Sequence, residues 1–232
     1  IERTLLRPAL RGESIARAGH RRPARHHDAP PPHDTRILWT HGADGAPLRS
    51  LPPATARWLA QWRPRLQARR DARARQPWWT LHRTEAARAD GPRVVWADIG
   101  KRLRVQLLAP GDPTVPLNSC YVVRPPSLAD AHALLALLSS SIVAAWLDPL
   151  AEPARGGLRR FLGWTVAALP IPADWPHAVR LLAPLGRQLT HDAGIDRSAD
   201  DDTEHALDDA VARAYDVPRA TLQPLLDWYH HA

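Results

Sequence analysis

Residues 77–123, PWWTLHRTEAARADGPRVVWADIGKRLRVQLLAPGDPTVPLNSCYVV, decide the fold. Aromatic and β-branched residues gather there in four short runs: Trp78-Trp79-Thr80-Leu81, Arg93-Val94-Val95-Trp96, Leu103 to Leu107 and Leu117 to Val123. Gly and Pro residues separate the runs, so the pattern predicts strands divided by turns. Just downstream, Leu128 to Leu147 is mostly apolar and predicts a helix, with Ser127 as its N-cap. Ser139, Ser140 and Ser141 make this helix too polar for a membrane span.

Working outward, Glu152 to Gly163 reads as a basic, Gly-containing loop, and Leu169-Pro170-Ile171-Pro172 interrupts the chain. Beyond that break, helices are expected at about 175–191, 202–215 and 219–230. Their acidic character (Asp200, Asp201, Asp202, Glu204, Asp208, Asp209) reads as a solvated surface and helix start. Upstream of the strands, Leu59, Trp62 and Leu66 recur at helical spacing, which predicts a helix from Ala54 to about Arg75, kinked at Pro64. Arg36 to Thr40 is a short β-forming run followed by the Asp44-Gly45 turn signal. Arg21 to Asp34, with Pro30, Pro31 and Pro32, reads as an exposed loop. Its histidines (His20, His26, His27 and His33, with His41 beyond) lack regular ligand spacing and a Cys partner, and read as polar loop residues. Clustered strands followed by segregated helices define an α+β class. A small mixed or antiparallel sheet region with flanking helices is expected over 1–173, followed by a C-terminal helical segment over 174–232.

The chain has 232 residues, enough to bury a sizeable core. Cys120 is its single cysteine, so no internal disulfide framework exists, which fits a reducing, cytoplasmic compartment. It lacks methionine and starts at Ile1, as expected of a piece of a longer protein. Of 31 basic residues only Lys101 is lysine. Residues 1–110 hold 22 basic and 9 acidic residues, whereas residues 111–232 hold 9 and 15. This asymmetry points to a polyanion partner for the first half, and guanidinium forks match phosphates and guanine edges bidentately.

The chemistry of a nucleotide-modifying enzyme is not written in these residues. There is no Gly-rich turn after a strand to seat S-adenosylmethionine, and no Asn/Asp-Pro-Pro-aromatic loop to hold an adenine amine. Walker loops, G-x-S-x-G and paired Cys or His at metal spacing are likewise missing. The fragment alone is expected to be non-catalytic and to hold no cofactor or metal.

The order of motifs resembles the C-terminal target-recognition region of Taq-type and type IIG adenine-N6 DNA methyltransferases. Leu6-Arg7-Pro8-Ala9-Leu10-Arg11-Gly12-Glu13-Ser14-Ile15 looks like that family's R-P-x-x-x-G-[KR]-D-[IV], with Glu13-Ser14 replacing the usual basic-acidic pair. Leu66 to Arg70, Pro77 to Arg83, Val94 to Gly100, Leu117 to Tyr121, Leu134 to Leu147, Arg160 to Pro172 and Leu207 to Trp228 resemble further motifs in the family's order. The resemblance implies a domain that binds double-stranded DNA and reads a short site. It would steady that site while the N-terminal methyltransferase domain of the parent chain, using S-adenosylmethionine, flips and methylates an adenine. Arg7, Arg11, Lys101, Arg102, Arg159 and Arg160, at turns or loops of the matching motifs, are the candidate phosphate clamps. Arg83 and Asn118 are candidates for base readout or ordering, and the competing reading of Asn118 is a turn residue bonding its own backbone. Trp78 and Trp79 are candidates to stack or wedge, one of them facing the core. Trp39, Trp58, Trp62, Trp96, Trp146 and Trp164 are expected to anchor the core. The alternative reading is a protein-interaction module of a phage-defence complex, docking through the acidic C-terminal helices.

Overall fold

The computed structural model describes residues 1–15, 35–70, 77–192 and 201–231. The expected Arg21–Asp34 loop, His20, Arg73, Arg75 and Asp200 lie outside these residues. In chain order the strands are β1 (Leu6–Leu10), β2 (Arg36–Leu38), β3 (Arg93–Ala97), β4 (Ile99–Gly100), β5 (Val105–Leu108), β6 (Val115–Pro116), β7 (Cys120–Val123), β8 (Glu152–Ala154) and β9 (Leu158–Arg160). The helices are α1 (Pro53–Ala60), α2 (Arg63–Gln67), α3 (Leu128–Ser139), α4 (Ser141–Leu147), α5 (Gly163–Ala167), α6 (Trp175–Asp192), α7 (Asp201–Ala214) and α8 (Arg219–His231). The fold is α+β with a C-terminal helical segment, as the sequence pattern predicts. Among the described residues the strands form three three-stranded sheets, ordered β2-β1-β6, β5-β3-β7 and β4-β9-β8. Two compact units divide the chain: unit 1 is Ile1–Leu10, Pro31–Arg88 and Pro113–Val115, and unit 2 is Arg11–Pro30, Ala89–Asp112 and Pro116–Ala232.

In unit 1, β1 pairs antiparallel with β2, placing Arg7 opposite Ile37. Helix α1 opens on Pro52-Pro53, where a missing N–H costs nothing, but Pro52 offers no side-chain cap. Glu2 supplies that cap from another part of the chain. Its carboxylate accepts from the Ala54 N–H at 2.9 Å, the Thr55 N–H at 2.8 Å and the Thr55 hydroxyl. An anion at the positive end of a helix is favourable, and the Thr55 hydroxyl bond, with the two N–H groups, lowers the Glu2 pKa from 4.5 to about 2. The depressed pKa means that the stabilisation is present above 4.5 and is lost as pH falls towards 2. Glu2→Gln is therefore expected to unfold more readily near neutral pH and to lose that part of the acid sensitivity. Thermal melts of both proteins across this window, if they ran parallel, would exclude the capping role.

The single helix expected from Ala54 breaks in two. Pro64 has no N–H to give to the Ala60 carbonyl, so α1 ends at Ala60. Pro64 then sits in the first turn of α2, where no such donor is needed. Trp62 bridges the break, donating its N–H to the Leu59 carbonyl at 2.9 Å and accepting from Leu66 at 2.9 Å. The expected strand at Trp78–Leu81 is also a correction, because this segment is a turn. The Thr80 N–H and hydroxyl both donate to the Pro77 carbonyl, at 2.9 and 2.6 Å, and the Trp79 indole donates to the Leu48 carbonyl at 3.0 Å. The Pro77 carbonyl and the Thr80 N–H, which a strand ladder would have used, are thus spent within the turn, and the bond to Leu48 anchors it.

Unit 2 centres on β3, buried along its whole length between β5 and β7. Trp96 lies opposite Tyr121 across the sheet, their rings stacked at 5.7 Å, and its indole donates to the Phe161 carbonyl at 2.8 Å. The strand expected from Leu117 starts only at Cys120, whose N–H closes a turn on the Leu117 carbonyl at 3.0 Å. Helix α3 covers this sheet and packs on α6. Ser127 caps it as predicted, accepting from the Asp130 N–H at 3.1 Å.

The helix expected to run to Leu147 ends instead at Ser139, because Ser140 is extended (φ −71°, ψ 152°). The Ser140 hydroxyl donates to the Leu137 carbonyl at 2.9 Å and accepts from the Val143 N–H at 3.2 Å, so one side chain ends α3 and starts α4. The buried Asp208 of α7 accepts from the Ser141 N–H at 2.8 Å. The two helices are bent by 65°, and no single helix among the described residues is long and apolar enough to cross a membrane. The loop expected over residues 152–163 is corrected to the β8–β9 hairpin, turned by Gly156 (φ 72°) and Gly157 (φ 70°) in left-handed conformations open to glycine. The three C-terminal helices lie within two residues of the expected bounds.

Candidate nucleic-acid interface

Charge separates by folding unit. Among the described residues, unit 1 holds 11 arginines against Glu2, Asp44 and Glu85, whereas unit 2 holds 13 basic and 16 acidic residues. Arg3, Arg36, Arg49, Arg57, Arg63, Arg65, Arg70, Arg83 and Arg88 are all exposed in unit 1. Glu2, one of its three acids, is already committed to the α1 N-terminus.

Four of the sequence-derived candidates fall in unit 1. Arg7, on β1, lies over the ring of the buried Trp39 at 4.5 Å, and burial lowers its pKa. Beside it, His41 stacks at a tilt on Trp39 with ring centroids 5.5 Å apart; burial, then Arg7, lowers its pKa, while Asp44 opposes. The Thr40 hydroxyl donates to the Trp79 carbonyl at 2.7 Å, tying β2's end to the Trp78-Trp79 turn. The two indoles of that turn meet edge to face at 5.4 Å, both half-buried, and Arg63 lies over Trp78 at 5.7 Å.

Arg83 is exposed and left-handed (φ 53°, ψ 58°), a conformation costly for a residue with a Cβ. Strain of this kind persists only where the surrounding structure over-determines the conformation, and such residues cluster at functional sites. Arg83→Gly is expected to keep or raise stability by up to about 1 kcal/mol, by relieving the strain, while weakening duplex binding. Chemical denaturation and a DNA titration of this variant separate the two effects; unchanged affinity assigns Arg83 no part in binding.

The other six lie in unit 2 and are drawn into two groups. Gly100 pairs with Arg159 and Ile99 with Arg160, so the sheet gathers Lys101, Arg102, Arg159, Arg160 and the Arg155 turn from segments some 55 residues apart. Within this group Arg159 is bound by Asp148 through two bonds, at 2.9 and 3.2 Å, which offsets its charge locally. Arg102 lies over the Tyr229 ring at 5.0 Å, and Arg160 is exposed. Burial pushes the Asp98 carboxyl up, and Arg160 draws it back down.

The second group joins the chain's opening motif to the Leu117–Cys120 turn. The Gly12 N–H donates to the Ser119 hydroxyl at 2.9 Å, and the Gly12 carbonyl accepts from Arg104 at 3.2 Å. A Cβ on Gly12 would lie 2.4 Å from the Ser119 carbonyl oxygen, so glycine is what permits this approach. Arg11, ion-paired with Glu13 at 3.5 Å, and the exposed Asn118 flank the contact. Asn118 occupies the turn itself, and its side chain has no hydrogen-bond partner among the described residues. Burial pushes the neighbouring Cys120 thiol up to about 11, which leaves it a poor nucleophile.

Three tryptophans expected in the core are surface residues. Trp58, Trp62 and Trp164 are 43%, 42% and 59% exposed, whereas Trp39 and Trp96 are buried and Trp146 packs against the unit 2 core. Trp58 and Trp62 line an open cleft of about 360 Å³ with Leu59, Arg65, Leu66 and Arg69. The signal was in the sequence: two indoles four residues apart, bracketed by Arg57, Arg63 and Arg65, with no acid between. The apolar periodicity of Leu59, Trp62 and Leu66 pointed inward instead. No protein-family model matches the sequence, and no curated protein matches it either.

Proposed function

We propose that this chain is a duplex-DNA target-recognition domain of a site-specific adenine-N6 DNA methyltransferase of the restriction–modification or phage-defence type. The catalytic, S-adenosylmethionine-binding domain belongs to the same parent chain, and the protein works in the cytoplasm. The observation that carries the reading is the nine exposed arginines of unit 1 among three acids. A surface of that density favours a polyphosphate backbone over a mixed-charge protein face. The ordered motif resemblance supplies the enzyme class. Lys101, Arg102 and Arg160 offer further phosphate contacts, and Arg83 and Asn118 are the side chains assigned to the bases. Direct titration with a labelled duplex over a range of salt concentrations tests the proposal. Tight binding at low salt that weakens steeply as salt rises, with one short sequence preferred, is the expected result. A chain that ignores duplex DNA at low salt but captures a protein partner through α7 and α8 belongs to the interaction-module reading instead.

A further inference from the structure

We infer that the Trp58–Trp62 cleft of unit 1 binds unpaired nucleotides of a nucleic-acid strand, by stacking bases on the two indoles and holding the flanking phosphates with arginine. The inference deepens the nucleic-acid reading above and rests on its premise of an anionic partner. Both indoles are over two-fifths exposed, an unusual cost for the largest apolar side chains at the break between two helices. Buried Leu59 and half-buried Leu66 complete the apolar lining, and Arg65 and Arg69 form its charged part. The segment from residue 53 to 70 contributes Arg57, Arg63, Arg65, Arg69 and Arg70 and not one acidic residue.

This chemistry selects its occupant. A flat π-system bearing a negative charge satisfies both the indoles and the exposed Arg65, whereas an aliphatic peptide anchor would use the apolar lining alone; Arg69 already donates to the Thr80 carbonyl and adds positive charge at the cleft wall. A cleft of about 360 Å³ is at the small end of ligand sites, suited to single bases and open enough for a strand to pass through. A paired base hides its faces in the stack, so the ligand has to be unpaired: a single strand, or a nucleotide extruded from a duplex.

The test compares three labelled probes on the full 232-residue chain by fluorescence anisotropy: oligo(dT) of about twelve nucleotides, an abasic strand of equal length, and a fully paired duplex. Oligo(dT) is expected to bind more tightly than the abasic strand. Trp58→Ala and Trp62→Ala are each expected to weaken oligo(dT) about fivefold or more and to leave the abasic strand unchanged, while Trp→Phe at either position retains most of the affinity. Because both side chains are exposed, circular dichroism of the alanine variants is expected to match the parent. Equal binding of oligo(dT) and the abasic strand, or full affinity in the Trp58→Ala/Trp62→Ala double variant, overturns the inference. So does displacement of the cleft's ligand by polyglutamate as effectively as by oligo(dT), which would mean charge alone. Binding of oligo(dT) that depends on the tryptophans, with no binding of duplex, supports this inference and overturns the duplex reading.

Discussion

Gly186→Ala is expected to destabilise unit 2 by about 3 kcal/mol or more, although alanine is the better helix former. Gly186 lies inside α6, where exchanging glycine for alanine would ordinarily gain about 1 kcal/mol. Here the new Cβ would stand 1.9 Å from the His132 carbonyl oxygen and 2.6 Å from its carbon. Those are backbone atoms of α3, a helix whose Ala131, Ala133, Leu135, Ala136 and Leu137 are buried in the main apolar cluster. Neither partner can yield by rotating a side chain, so the two helices have to separate and open the interior between them. The clash therefore outweighs the propensity gain. Urea unfolding followed by circular dichroism measures it: a midpoint equal to or above that of the parent protein would show that α3 and α6 do not approach this closely.

Replacing Arg49, Arg57, Arg65, Arg70 and Arg83 together by glutamine is expected to remove most of the salt-dependent affinity for duplex DNA. All five are exposed in unit 1, so the change removes charge without opening the core. Each arginine that meets a phosphate contributes about 0.9 to the slope of log affinity against log salt. A protein with six to ten such contacts loses about a thousandfold or more in affinity between 50 and 200 mM salt, so the variant's curve is expected to be much flatter and to start lower. A comparison set of four in unit 2, Arg124, Arg180, Arg187 and Arg213, is also exposed and lies among an excess of acids. Its replacement is expected to change the slope little. Equal losses from both sets would mean that net charge alone drives binding, and that unit 1 is no specific interface.

Local chemistry was readable before any coordinates. Ser127 as an N-cap and the three C-terminal helices depend on contacts within a few residues, and those contacts are written in sequence order. The α+β class and the unequal charge of the two halves were equally plain. Where the reading went astray, a distant partner or a competing side chain had the decision. Trp78 to Leu81 has the composition of a strand, but Leu48 and the Thr80 hydroxyl draw its polar groups into a turn. Ser140 ends one helix and begins another, with Asp208, 67 residues from Ser141, taking the freed N–H.

The candidate interface divides along the same line. The sequence by itself determined which residues could hold phosphate or stack on bases, because that follows from guanidinium, amide and indole chemistry. Only the tertiary structure decided which of them stand together and which are free to act. It set Arg11 beside Asn118 through Gly12 and Ser119, and Lys101 beside Arg159 through a sheet pairing. It engaged Arg159 with Asp148, and it left Trp58 and Trp62 in a surface cleft where their spacing had suggested the core. The physical reason is that burial and pairing are properties of the neighbours that folding brings from far along the chain, and a residue's own type and spacing do not name those neighbours.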